Sequence, residues 1–228
     1  MAENENITKL ENYEAEDIND VIVKLEKSFG LKFEKDAFQH VITFGDLCDV
    51  FEKNIQLTHV DNCTTQQAFN RVRYAFNATQ HYGGEQIHPD TSLAQLFPLH
   101  NRRQKTKEFI RNLGTEIKIL TYPDWLVLAF GVIFLLSIVA FFFDWKIALS
   151  GIAFFLLAEK IADKFGKNLN IKTVRELTEK LSRENYIDIR RNKGTVNKAE
   201  IIRIIRDSFS IELGIDKHNL TREDKFGW

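Results

Sequence analysis

Between Trp125 and Phe143 the chain carries no charged side chain, and fourteen of these residues are Leu, Ile, Val or Phe. No other feature narrows the possible folds as much. At about 1.5 Å of rise per residue, a helix over this block matches a bilayer core about 30 Å thick. Each large apolar residue contributes roughly −0.3 to −0.6 kcal/mol to insertion, about −4 to −8 kcal/mol in all. Asp144, Trp145 and Lys146 interrupt the block, and a second apolar run follows from Ile147 to Ala158. The second run is short, and it spans only if Glu159 and Lys160 reach the headgroups. The expectation is a two-helix transmembrane hairpin, with Trp125 and Trp145 in the interfacial belts and Lys146 snorkelling at the turn.

The flanks set the expected orientation. Arg102, Arg103, Lys105, Lys107, Arg111 and Lys118 precede the hairpin, and Lys160, Lys164, Lys167 and Lys172 follow it. The positive-inside rule then predicts an integral membrane protein with both termini cytoplasmic, a bacterial inner membrane being the setting. The bilayer would be one partner, and the basic stretch would favour anionic lipid headgroups. The first helix has no ionisable group at depth, which argues against transport. The opening Met-Ala-Glu-Asn-Glu lacks the basic and apolar regions of a signal peptide.

Composition removes other classes. With 31 basic and 32 acidic residues the net charge is −1, which does not suit nucleic acid as a partner. The two cysteines, Cys48 and Cys63, form no CxxC and read as reduced thiols. None of the six histidines has metal-ligand spacing, so no metal is expected. Gly83-Gly84 lacks the Gly-Lys-Ser/Thr of a phosphate loop and reads as a turn. Cys63, with Asp61 and His59 close in sequence, allows one alternative, a thiol nucleophile at a helix start. Cys48 sits on an apolar helix face and reads as core.

The remaining chain predicts helices. Ile18, Val21, Ile22, Leu25 and Phe29 recur at helical spacing, as do Ile201, Ile202, Ile205 and Phe209. Thr43 is an N-cap candidate for a helix over 45–55, and Thr64 with Gln67 has the pattern of a capping box. No alternating pattern predicts a strand, so the chain is expected to be all-α. The two polar regions also resemble each other. Lys27-Ser28-Phe29-Gly30 matches Asp163-Lys164-Phe165-Gly166, and Thr43 to Leu47 matches Thr173 to Leu177. The step from Thr43 to Thr64 is 21 residues and that from Thr173 to Thr195 is 22; Thr64 to Phe97 is 33 and Thr195 to Phe226 is 31. Such spacing predicts an internal repeat.

Leu25-Glu26-Lys27-Ser28-Phe29-Gly30-Leu31 and Thr43-Phe44-Gly45-Asp46-Leu47 resemble the second half of an acyl carrier protein. Ala199 to Phe226, with Leu213-Gly214-Ile215 and Leu220-Thr221, resembles the first carrier helix and its loop, and so does Gln66 to Phe97. The halves occur in permuted order, second before first. The family carries phosphopantetheine on the serine of an Asp-Ser-Leu motif. Here that position is Ala15, between Glu14 and Glu16, so the resemblance implies a carrier-like fold without the cofactor. Ser92 and Ser208 are the weaker candidates for attachment.

These readings divide the chain into an acidic segment (1–15), a carrier-like region (16–100), a basic juxtamembrane helix (101–122), the hairpin (123–163) and a second carrier-like region (164–228). The expected function is a membrane-anchored, non-enzymatic interaction module. It would dock a cytoplasmic protein, of acyl or lipid metabolism by resemblance, through Glu14, Glu16, Asp17 and Asp20. The alternatives are a genuine membrane-tethered carrier using Ser92 or Ser208, and a thiol enzyme using Cys63.

Overall fold

A computed structural model describes residues 9–34, 36–80, 87–140 and 145–228. The Tyr82-Gly83-Gly84 turn and Phe141 to Asp144 lie outside these residues. The described chain is mostly helical: α1 (Ala15–Phe29), α2 (Phe44–Asn54), α3 (Thr64–Gln80), α4 (Leu93–Leu96), α5 (Arg102–Leu113), α6 (Asp124–Ala140), α7 (Trp145–Phe165), α8 (Val174–Glu184), α9 (Tyr186–Ile189) and α10 (Lys198–Leu213). It also holds four two-residue strands that no sequence pattern marks. β1 (Thr58–His59) pairs in parallel with β4 (Thr195–Val196), and β2 (Leu120–Thr121) pairs antiparallel with β3 (Asn168–Leu169).

The chain packs as two compact units. The first combines residues 1–72 with 178–228, and the second holds 73–177. In the first unit, α1 and α2 bury Ile18, Val21, Leu25, Phe29, Phe44, Leu47 and Phe51 against Ile201, Ile205 and Phe209 of α10. Phe209 meets Phe44 edge to face with ring centroids 5.4 Å apart. Its core is therefore completed by two stretches more than a hundred residues apart. The second unit has its own aromatic centre, where Phe76, Phe97 and Phe109 lie within 5.5 Å of one another.

Thr43 caps α2 as the sequence predicts. Its hydroxyl accepts from the Asp46 amide while Asp46 accepts from the Thr43 amide. Thr64 does something else. Its hydroxyl turns toward Glu200 and Arg190, and the Gln67 amide donates to the Cys63 carbonyl. One hydrogen-bond ladder occurs twice. Phe44 and Gly45 donate to the carbonyls of Asp224 and Arg222, and Phe226 donates to Ile42. In the other unit Val174 and Arg175 donate to Thr91 and Pro89, and Leu93 donates to Lys172. By its place in the ladder Leu93, rather than Phe97, is the equivalent of Phe226. Gly45 is required at its place, because a Cβ there would stand 2.9 Å from the Arg222 carbonyl.

Asp46 yields a pH prediction. The amides of Thr43 (2.8 Å) and Ile42 (3.1 Å) hold its carboxyl below the usual carboxylate range. A folded value below the unfolded one means that the stabilisation is complete above the unfolded value and is lost as pH falls through the folded one. Asp46→Asn should flatten the acid side of a plot of denaturation midpoint against pH. An unchanged acid slope would contradict the assignment.

The expected membrane crossing is not found. Among the described residues no helix is long and apolar enough to span a bilayer. α6 has 17 residues, about 25 Å of rise, which falls short of the core. α7 has 21, but they include Lys146, Glu159, Lys160, Asp163 and Lys164. The integral-membrane placement and the topology drawn from Arg102 to Lys118 are corrected accordingly, and with them the belt roles of Trp125, Trp145 and Lys146. The composition of the apolar block is real, but among the described residues the helices that carry it are too short or too charged. α6 and α7 pack along each other as a hairpin, with the Ser137 side chain seated where a Cβ on Gly151 would collide with it.

Candidate functional site

Apolar side chains on a folded surface normally scatter singly, and contiguous patches mark contact sites. The α6–α7 hairpin carries such a patch. Its inner side buries Phe130, which meets Phe155 edge to face with ring centroids 6.1 Å apart. Trp125, Leu128, Leu135, Leu136, Phe154 and Leu157 are each more than half exposed. Burying one such side chain is worth about 1.5–3 kcal/mol, so a partner surface covering several of them would be held firmly.

The acidic candidates are also on the surface. Glu14 precedes α1, and Glu16, Asp17 and Asp20 lie exposed in its first turns. Acids there complement the helix dipole whatever else they do. Asp17 and Asp20 share a concavity of about 210 Å³ with Tyr13, Lys24 and Glu212. Its wall is fixed by Tyr13 donating to the Leu213 carbonyl and by the Lys24–Glu212 ion pair at 2.6 Å. Among the basic candidates, Arg102 donates to the carbonyls of Phe97 and Lys167 and so works within the fold. Arg103, Lys107 and Lys118 line one concavity of about 550 Å³. Lys105 and Arg111 lie on α5 outside it.

Both candidate serines hydrogen-bond within the fold. Ser208 is buried and donates to the Ile204 carbonyl at 2.8 Å. Ser92 caps α4, accepting from the Ala94 amide. Ala15 opens α1 and is exposed. Cys63 is exposed, but both nitrogens of His59 are engaged: Nδ1 accepts from the Lys198 amide and Nε2 lies 3.1 Å from Asp61. Cys48 is buried, and burial pushes its thiol up to about 12. A thiol reagent at neutral pH should therefore label Cys63 quickly and leave Cys48 unmodified until the chain unfolds. Two rapid equivalents would contradict this packing.

Sequence reasoning missed a buried polar cluster in the first unit. Glu200 accepts from the Thr64 amide (3.0 Å), the Thr64 hydroxyl (2.6 Å) and the Tyr186 hydroxyl (3.1 Å). Arg190, its side chain 1% exposed, lies 3.8 Å from the Glu200 carboxylate. It donates to Thr64, Tyr186 and Thr195 and to the carbonyls of Asn62 and Val60. Both charges are satisfied, and the cluster ties the segment after β1 and the start of α3 to β4, α9 and α10. Comparison of the chain with protein families, with curated proteins and with solved structures finds no match.

Proposed function

We propose that the chain is a non-enzymatic, carrier-like interaction module that docks a protein partner through the apolar face of the α6–α7 hairpin. The observation that carries the proposal is the set of exposed Leu, Phe and Trp side chains on two helices that pack against each other. The carrier-like part draws support from α10 packing against α1 and α2, so that the segments resembling the two halves of a carrier share one core. Ala15, lacking a hydroxyl, and the buried Ser208 favour docking over carriage of a prosthetic group. The engagement of His59 with Asp61 and Lys198 leaves Cys63 without its base, which weighs against the thiol enzyme. By resemblance the partner belongs to acyl or lipid metabolism, and the exposed Glu14, Glu16, Asp17 and Asp20 offer it a second, acidic contact.

Photo-crosslinking in the native cell tests the reading. A photoreactive residue at Leu128 or Leu135 should trap one discrete polypeptide, and the same probe at exposed Glu223 should not. Adducts to lipid alone, or equal trapping from all three positions, would overturn it.

A further inference from the structure

α6 carries two stripes of side chains, one buried and one exposed. Leu126, Phe130, Ile133, Ser137 and Ala140 recur at alternating steps of four and three residues, and each is buried or half-buried. This is the side on which Phe130 meets Phe155 and Ser137 meets Gly151 of α7. Trp125, Leu128, Val132, Leu135 and Val139 recur at alternating steps of three and four, and each is more than half exposed. At about 100° per residue this second stripe lies on nearly the opposite side of the helix. Steps that average 3.5 residues are the spacing by which one helix seats its side chains between those of another. A helix that is apolar on two sides is suited to lie between two neighbours, and α7 supplies one of them.

Three features of the exposed stripe select its occupant. Trp125, Val132 and Val139 fall at the a positions of a heptad, and Leu128 and Leu135 fall at the d positions. Valine at a with leucine at d favours two strands in parallel. The stripe carries no charge, so two copies of it meet without like-charge repulsion. With exposed Leu136 at its edge, each copy offers six large apolar side chains. At roughly 60–120 Å² of apolar surface each, a pair of copies would bury about 700–1,400 Å², which reaches the about 1,200 Å² at which stable interfaces begin. We propose that α6 pairs in parallel along this stripe with α6 of a second copy of the chain, giving a two-fold symmetric dimer. The inference rests on the docking reading and names the occupant of α6; the exposed Leu149, Phe154 and Leu157 of α7 lie outside the pairing.

Sedimentation equilibrium of the whole chain tests the pairing and should return twice the chain mass. Leu135→Glu sets two like charges against each other across the two-fold axis, and Leu135→Lys does the same with the opposite sign. Each variant should weaken self-association by roughly a hundredfold or more, and an equimolar mixture of the two should recover the dimer. Leu135 is exposed in the single copy, so both variants should keep the circular dichroism of the folded chain. A monomer, a species larger than two copies, variants that dimerise as before, or a mixture that stays monomeric overturns the pairing. In the native cell a photoreactive residue at Leu128 separates the two readings. An adduct of twice the chain mass supports the pairing. An adduct to a different polypeptide keeps the docking reading and overturns the pairing, and adducts to lipid alone overturn both.

Discussion

Glu200→Ala should destabilise the first unit by about 3–5 kcal/mol, the cost of breaking a buried ion pair from one side. The substitution removes the acceptor for the Thr64 amide, the Thr64 hydroxyl and Tyr186. It also leaves Arg190 charged and almost wholly enclosed. A charge in that position has no route to water, so the remaining carbonyl contacts do not compensate for it. Burial already raises the Tyr186 hydroxyl above its ordinary value, a sign of how far the cluster is removed from solvent. The measurement is the urea midpoint at constant slope. Replacing both partners, Arg190→Met with Glu200→Leu, should cost less than Glu200→Ala alone, because no unpaired charge remains. A single-substitution loss below about 1 kcal/mol, typical of exposed pairs, would show the cluster to be solvated.

Phe209→Ala should cost a similar amount, about 3–5 kcal/mol, as large buried aromatics do when truncated. Phe209 is fully buried, packing on Phe44 at 5.4 Å and on Phe226 at 6.1 Å. It comes from α10, whereas Phe44 comes from α2, so the loss reads the contact between the two ends of the chain directly. A double-mutant cycle with Phe44→Ala should return a coupling of about 0.5–1.5 kcal/mol. Strict additivity would mean that the two rings do not share a core.

The sequence made local features legible and distant ones obscure. Thr43 and Asp46 announce their cap because donor and acceptor lie three residues apart. Thr64 looks the same locally, yet its hydroxyl is claimed by Glu200, 136 residues away, and nothing near Thr64 signals that. Two-residue strands are too short to leave an alternating pattern. The apolar block from Trp125 announced helices correctly, but composition alone could not show that α6 ends its described course at Ala140 or that charges interrupt α7. Of the site residues, the exposed acids of α1 are where helical periodicity puts them. Spacing pairs Phe226 with Phe97 in the repeat, whereas the two ladders make Leu93 its equivalent, because a backbone register does not follow side-chain identity.

The central claim is that residues 9–72 have no complete core until residues 178–228 pack against them. The direct measurement is urea denaturation of a fragment covering residues 1–120, followed by circular dichroism beside the whole chain. The account predicts that the fragment shows no cooperative transition, since Ile201, Ile205, Phe209 and Tyr186 are missing from its core. A fragment that unfolds cooperatively, with a midpoint near that of the whole chain, would contradict it.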